Sequence, residues 1–382
     1  MAARATAAPL PSPADSSAPA PESLESKVDQ VVKDVMTEYK LPGTSVAVVS
    51  GGTVVLAKGY GWADLDQKIP AGPGTLYKLE SLTKQFTASA IMVLAQQGLL
   101  KPTDSVRRCL PEAPDTWSPI TLKHLMTHTG GLTDDFPDYG TLASPKRQDS
   151  DRVLARRLLT GIFEQRLDPD PPGSKWKYSN DGYYVLNAII RRAARGRTWG
   201  GFLAEEFFAP LCMCSTGLDA HRRPPGSAQG YVILHKTRIP VDGHPLIGCA
   251  GLYSNVLDLA KWDAALYAST PLTDSSKQEM WTPTLENNGY GWVIEKFNGH
   301  LLIWHNGLGD GFNTAMFRFV NDGMTIIVLT NLEILYLASN GDVIDPAVDI
   351  AAGIAEACVS GLGKQPRLHR LSIQRPRWEH KR

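Results

Sequence analysis

The sequence predicts an α+β fold in which an antiparallel sheet is flanked by helices and interrupted by a helical domain. Two observations predict it. Runs rich in β-branched residues stand near both ends of the chain, and the stretch between them, about 81–289, reads mainly as helices and loops. Strands, a helical insertion, more strands and a last helix, in that order, describe a sheet completed from both chain ends.

The elements follow in order. Residues 1–22, "MAARATAAPLPSPADSSAPAPE", are an Ala/Pro/Ser-rich flexible leader with no apolar h-region. A cytoplasmic location is the expectation from that leader, with the periplasm or secretion as the alternative if a signal peptide was removed. From Ser23, "SLESKVDQVVKDVMTEYK" is an amphipathic helix, with Val28, Val31, Val32, Val35 and Met36 near helical spacing. "LPGTSVAVVSGGTVVLAKGYGWAD" is two β-branched runs split by Gly51-Gly52, a hairpin signal. Residues 82–99, "LTKQFTASAIMVLAQQGL", are apolar on nearly every side, as in a helix buried at the centre of a domain; Gly98 and Pro102 close it. Strands return at 300–305, 313–320 and 324–331, and "DPAVDIAAGIAEACV" is the last helix. The main domain thus spans 23–360, its α/β part about 23–80 and 290–360. Residues 361–382 carry seven cationic side chains against Glu379, the composition of a solvated, poorly ordered basic tail.

Composition narrows the partners. Thirty-nine basic residues balance thirty-nine acidic ones, so the chain lacks the positive footprint of a nucleic-acid binder. No run approaches the roughly 18 apolar residues of a membrane span. Five scattered cysteines, Cys109, Cys212, Cys214, Cys249 and Cys358, lack zinc or redox spacing and read as free thiols. No cofactor is called for. Trp176, Tyr183, Trp292, Trp304 and Phe312 are candidates to line a pocket, although buried aromatics more often belong to the core.

Three short patterns bear on chemistry, and each occurs twice. Ser81-Leu82-Thr83-Lys84 puts a hydroxyl at the start of the buried helix and an ammonium one turn on, on the same face. A serine hydroxyl needs an adjacent proton acceptor to act as a nucleophile, and a helix N-terminus favours negative charge on a carbonyl oxygen attacked there. A capping serine with a surface lysine explains the same four letters when they stand alone. Ser174-Lys175-Trp176-Lys177 repeats the spacing in a polar stretch with no apolar helix behind it. Y-x-N occurs at Tyr178-Ser179-Asn180 and Tyr253-Ser254-Asn255, and H-x-G at His128-Thr129-Gly130 and His305-Asn306-Gly307.

Taken together, "SLTKQFTASAIMVLAQQGLL", "ITLKHLMTHTGGL", "PPGSKWKYSNDGYYVLNAII", "GLYSNVLDLAKWDAAL" and "WHNGLGDGF" closely resemble the serine β-lactamase-like superfamily of class C β-lactamases, D,D-peptidases and family VIII carboxylesterases. The resemblance covers about residues 25–358 and implies a β-lactamase/penicillin-binding-protein-like fold. In that family S-x-x-K, a Y-x-N about a hundred residues later, and K-T-G or H-x-G on a late strand converge. The order selects Tyr178 over Tyr253, whose Asn255 is suited to cap the helix "VLDLAKWDAAL". It likewise selects His305 over His128, which ends an apolar helical stretch and reads as structural.

The resemblance implies acyl transfer. Ser81 would be the nucleophile, with Lys84 and Tyr178 sharing the proton work; a neighbouring ammonium favours phenolate in a tyrosine that otherwise titrates near pH 10. Asn180 would orient Lys84 or the substrate carbonyl. The backbone N–H of Leu308 would be the second oxyanion donor, with Gly307, Gly309 and Gly311 letting backbone approach substrate. Histidine replaces the lysine of K-T-G, relaxing the demand for a substrate carboxylate. The expectation is therefore a carboxylesterase of a small-molecule ester or amide, with weak β-lactam hydrolysis. The alternatives are a class C-like β-lactamase or D-amino-acid peptidase, and a non-catalytic scaffold of the same fold.

Overall fold

The computed structural model describes residues 23–134, 151–218, 224–234, 237–241, 248–334 and 344–371. The leader and residues 372–382 of the tail lie outside the described residues.

Helix α1, Leu24–Tyr39, starts where the Ser23 side chain accepts the Ser26 N–H and ends at Lys40, which is left-handed at φ 54°. Strands β1, Gly43–Ser50, and β2, Thr53–Asp64, form the expected hairpin. Gly51 and Gly52 turn it with φ values of 54° and 78°, as a two-residue turn matched to strand twist requires. With β3, Ile69–Pro70, and the late strands β4, Val293–Phe297, β5, His300–Gly309, β6, Phe312–Phe319, and β7, Met324–Thr330, they make a seven-stranded sheet. Its order is β3-β2-β1-β7-β6-β5-β4, with every pairing antiparallel. The sheet is therefore completed by both ends of the described chain.

Strand alternation sorts the core into two layers. Val46, Val48, Trp304, Phe317 and Val328 face α1 and the last helix, α5, Pro346–Cys358. Ala47, Val49, Ile303, Met316 and Ile327 face the interior layer, where helix α2, Thr83–Gln96, runs. Every residue of α2 from Thr83 to Leu94 is buried, as its all-round apolar pattern predicts. Several of its polar groups are hydrogen-bonded: Gln85 Oε1 accepts the Trp262 indole N–H at 2.6 Å, and Thr87 donates to the Gly248 carbonyl at 2.6 Å. Tyr183, Trp292, Trp304 and Phe312 are core residues, and all five cysteines are free.

Besides helices and loops, the insertion contributes short strands to two small sheets, each completed by a strand from outside it: Leu252–Ser254 and Gly217–Leu218 with Tyr77–Lys78, and Gly230–Leu234 and Thr237–Val241 with Leu332–Glu333. Strands of two or three residues are too short to show a period. One expectation is corrected. The basic tail is not solvated from 361 onward, since Leu362, Leu368 and Leu371 are buried against the α1/α5 layer. Those leucines stand among charges, so composition hid their burial. Among the described residues, no helix is long and apolar enough to cross a membrane.

Candidate active site

Ser81 lies in a tight 3₁₀ turn, Glu80–Leu82, that joins the strand Tyr77–Lys78 to α2. The serine thus stands at the N-terminal threshold of a buried helix whose dipole favours negative charge there. One turn on, Lys84 is fully buried, and its ammonium donates to Ser81 Oγ at 3.0 Å, Asn180 Oδ1 at 2.8 Å and the Cys249 carbonyl at 3.0 Å. The Tyr178 hydroxyl donates to Ser81 Oγ at 2.8 Å. Burial lowers the Lys84 pKa to about 8, against the opposing pull of Cys249, Asp134 and Glu80. An amine that gives up its proton near neutrality, next to a hydroxyl, is equipped to take that hydroxyl's proton.

Tyr178 and Asn180 are held by the start of helix α3, Asn180–Ala193. Ser179 is its cap, accepting the Gly182 N–H at 3.1 Å, which leaves the Asn180 side chain free of capping duty and turned to Lys84. The Asp134 carboxylate fastens all three residues that follow Tyr178, accepting Ser179 Oγ at 2.6 Å, Asn180 N–H at 2.7 Å and Asp181 N–H at 3.3 Å. The ring of His128 stacks on Tyr178 with centroids 4.4 Å apart, and its Nδ1 accepts the Ser179 N–H at 3.1 Å. Burial pushes His128 well below its ordinary pKa, so the ring is neutral with its proton on Nε2. His128 is structural, as expected, but what it supports is the tyrosine.

His305 lies on β5 and shares a face with Ile303, so its ring points to the α2 side of the sheet. It is 2% exposed, and burial, with the Lys84 ammonium, lowers its pKa to about 3. Its Nδ1 meets the Asn306 carbonyl at 2.5 Å; a carbonyl only accepts, so the proton is on Nδ1 and Nε2 keeps a lone pair. The strand is internal at first and becomes an edge partway: pairing with β4 ends at Trp304, and residues 305–309 continue beside the Leu79–Glu80 turn. Gly307 is pressed there so closely that a Cβ would stand 2.2 Å from the Leu79 carbonyl. Leu308 follows in the β5–β6 ladder opposite Asn313. The Asn306 amide donates to Asp345 at 2.5 Å, and Asp345 caps α5, tying this strand to the last helix.

Ser81, Lys84, Tyr178 and Asn180 thus form one hydrogen-bonded unit, with His305, Gly307 and Leu308 on the strand alongside. The second copies lie outside it. Ser174 is exposed and donates to the Pro171 carbonyl at 2.6 Å. Asn255 caps helix α4, Val256–Tyr267, accepting the Asp258 N–H at 2.8 Å. Sequence reasoning missed Asp134, Glu80 and the Cys249 carbonyl, none of which stands in a recognisable pattern, and Asp345, whose Asp-Pro pattern marks only a helix start. A cavity of about 920 Å³ lies elsewhere, between Phe163 and the far side of α3 at Ala188 and Arg191. Its rim arginines Arg156 and Arg195 are solvent-exposed, and no member of the hydrogen-bonded cluster lines it.

A family model described as Beta-lactamase matches residues 28–344. Penicillin-binding protein 4* of Bacillus subtilis (strain 168) is 30% identical over 323 residues, covering 78% of this chain and 69% of that protein. Protein flp of Staphylococcus aureus (strain COL) is 26% identical over 330 residues, 82% of this chain; the chain spans 64% of that protein's length. Two solved structures share the fold. The octameric penicillin-binding protein homologue from Pyrococcus abyssi has a TM-score of 0.74 at 23% identity, covering 87% of this chain and 76% of its own. D-amino acid amidase from Ochrobactrum anthropi SV3, complexed with L-phenylalanine amide, has a TM-score of 0.73 at 24% identity, covering 88% of this chain and 99% of its own. The match over 28–344 is most of the sequence, and the chain belongs to the Beta-lactamase family, within the superfamily of serine β-lactamases and penicillin-binding proteins that are serine hydrolases.

Proposed function

We propose that the chain hydrolyses small carboxylic esters through an acyl-enzyme on Ser81. The observation that supports this most directly is the position of Ser81 Oγ, within hydrogen-bonding distance of both Lys84 Nζ and the Tyr178 hydroxyl. Lys84, as the neutral amine, takes the Ser81 proton directly or through Tyr178 while Oγ bonds to the substrate carbonyl carbon. The oxyanion is met by the backbone N–H groups of Ser81 and Leu308. Collapse breaks the ester C–O bond, and the alkoxide leaves with the proton returned by the same pair. Water then adds to the acyl-enzyme, giving its proton to that pair, and Ser81 is released with the acid. Esters rank first because the buried, neutral His305 offers no fixed charge to a substrate carboxylate.

Amide hydrolysis is the second reading. It draws on the D-amino acid amidase structure, which this chain matches over nearly all of that chain. The test compares kcat/KM for p-nitrophenyl butyrate, D-phenylalanine amide and nitrocefin. The ester is expected to be turned over fastest; a faster amide would replace the first reading with the second, and nitrocefin in first place would replace both with a β-lactamase.

A further inference from the structure

Glu80 precedes the nucleophile and takes no part in the steps above. It holds φ 50°, a left-handed conformation uncommon for any residue with a side chain, and it is buried at 3% exposure. Glycine would meet the same backbone demand without strain, so backbone geometry alone does not explain a glutamate here. Its position is fixed by its neighbours. A Cβ at Gly307 would stand 3.0 Å from Glu80 Cβ, and one at Gly309 would stand 2.8 Å from Glu80 Oε2. The carboxylate therefore lies against the backbone of β5 that flanks Ser81. Two residues upstream, buried Lys78 pairs with Asp310 at 2.5 Å and is also attracted by Glu80. Cation and anion thus alternate through the buried ground beneath the site, from Asp310 to Lys78, Glu80 and Lys84.

We propose that Glu80 is a positioning residue for the nucleophile: its own left-handed backbone and its carboxylate, seated against the β5 glycines, hold the 3₁₀ turn that carries Ser81, and its negative charge acts on the buried Lys84. This rests on the acyl-transfer reading of Ser81 and Lys84. Glu80 favours the ammonium form of Lys84, as do Cys249 and Asp134, against the larger opposing effect of burial. The other titratable groups around Lys84 are the phenols of Tyr178 and Tyr183 and the neutral rings of His128 and His305.

The test is the rate of Ser81 modification by a p-nitrophenyl alkylphosphonate between about pH 5 and 10, a range spanning lysine and histidine titration, in wild type, Glu80→Gln and Glu80→Gly. Glutamine keeps the shape and removes the charge, so Lys84 sheds its proton at lower pH. The acid limb of the profile moves to lower pH, and the rate at low pH rises by about tenfold for each unit of displacement. Glycine relieves the backbone and removes the charge, so its limb moves in the same direction; it also serves if the glutamine variant fails to fold. Variant limbs superimposable on the wild-type limb, with adducts on Ser81 in all three proteins, would overturn the inference. A uniform loss of rate with the limb unmoved would overturn it too, by reducing Glu80 to a packing role. If wild type formed no adduct on Ser81, the acyl-transfer reading would fall first, and this inference with it.

Discussion

Tyr178-Ser179-Asn180 and Tyr253-Ser254-Asn255 have the same three letters and opposite fates. Each triplet runs into a helix, but the cap falls on a different residue. At the first, Ser179 caps α3, so Asn180 is already inside the helix and its amide oxygen is available to Lys84. At the second, Asn255 is itself the cap of α4, and its oxygen is occupied by the Asp258 N–H. A shift of one residue in the cap thus separates a ligand of the lysine from a helix stop. Tyr253 lies in the strand Leu252–Ser254, paired across to Lys78, whereas Tyr178 reaches Ser81.

The other two pairs teach the same lesson. Ser81 and Ser174 differ in what stands behind them: a helix buried from Thr83 to Leu94 for one and an exposed turn for the other. His305 and His128 are both buried and neutral, yet one lies on the strand beside the nucleophile while the other supports the tyrosine.

The largest effect that can break this comparison is at the serines. Ser81→Ala should lower kcat for p-nitrophenyl butyrate by roughly 10⁴ or more, as loss of a nucleophile does. Ser174→Ala, on the surface, should stay within about twofold of wild type. Next come the tyrosines. Tyr178→Phe should reduce kcat by roughly 10², the scale of acid–base assistance, with its melting temperature little changed. Tyr253→Phe should keep its kcat, because the residue lies in a strand and not beside Ser81. Comparable rate losses in both would show that the selection of Tyr178 was mistaken.

The asparagines sharpen the contrast further. Asn180→Ala should slow turnover by about tenfold, because a hydrogen bond to a charged group contributes about 1.5 kcal/mol or more. Asn255→Ala should lower stability by about 1 kcal/mol in urea unfolding, through loss of a cap, and leave the rate alone. The smallest effect is on pH dependence. Burial holds Lys84 at about 8, so kcat/KM should rise with pH as the amine loses its proton and level off above a midpoint near pH 8. A midpoint near that of free lysine, about 10.4, would contradict the burial of Lys84.

The sheet was legible because its strands are long enough to show a period, and both terminal helices because Ser23 and Pro346 mark their starts. S-x-x-K was legible only in the company of the later motifs. What escaped has a common cause. Asp134 acts through three hydrogen bonds to a segment far along the chain and leaves no local pattern; Asp345 shows locally only as the cap of α5, and its bond to Asn306 is long-range. The two-residue strands and the buried leucines of 361–371 depend on neighbours that sequence spacing does not display.

The most direct test of the account is where a serine-reactive phosphonate attaches. After incubation of the wild-type chain with a fluorophosphonate and proteolysis, mass spectrometry should find a single adduct, on the peptide carrying Ser81, and none in Ser81→Ala. An adduct on the peptide carrying Ser174, or one that persists in Ser81→Ala, would contradict the claim that surroundings, rather than the four letters, make the nucleophile.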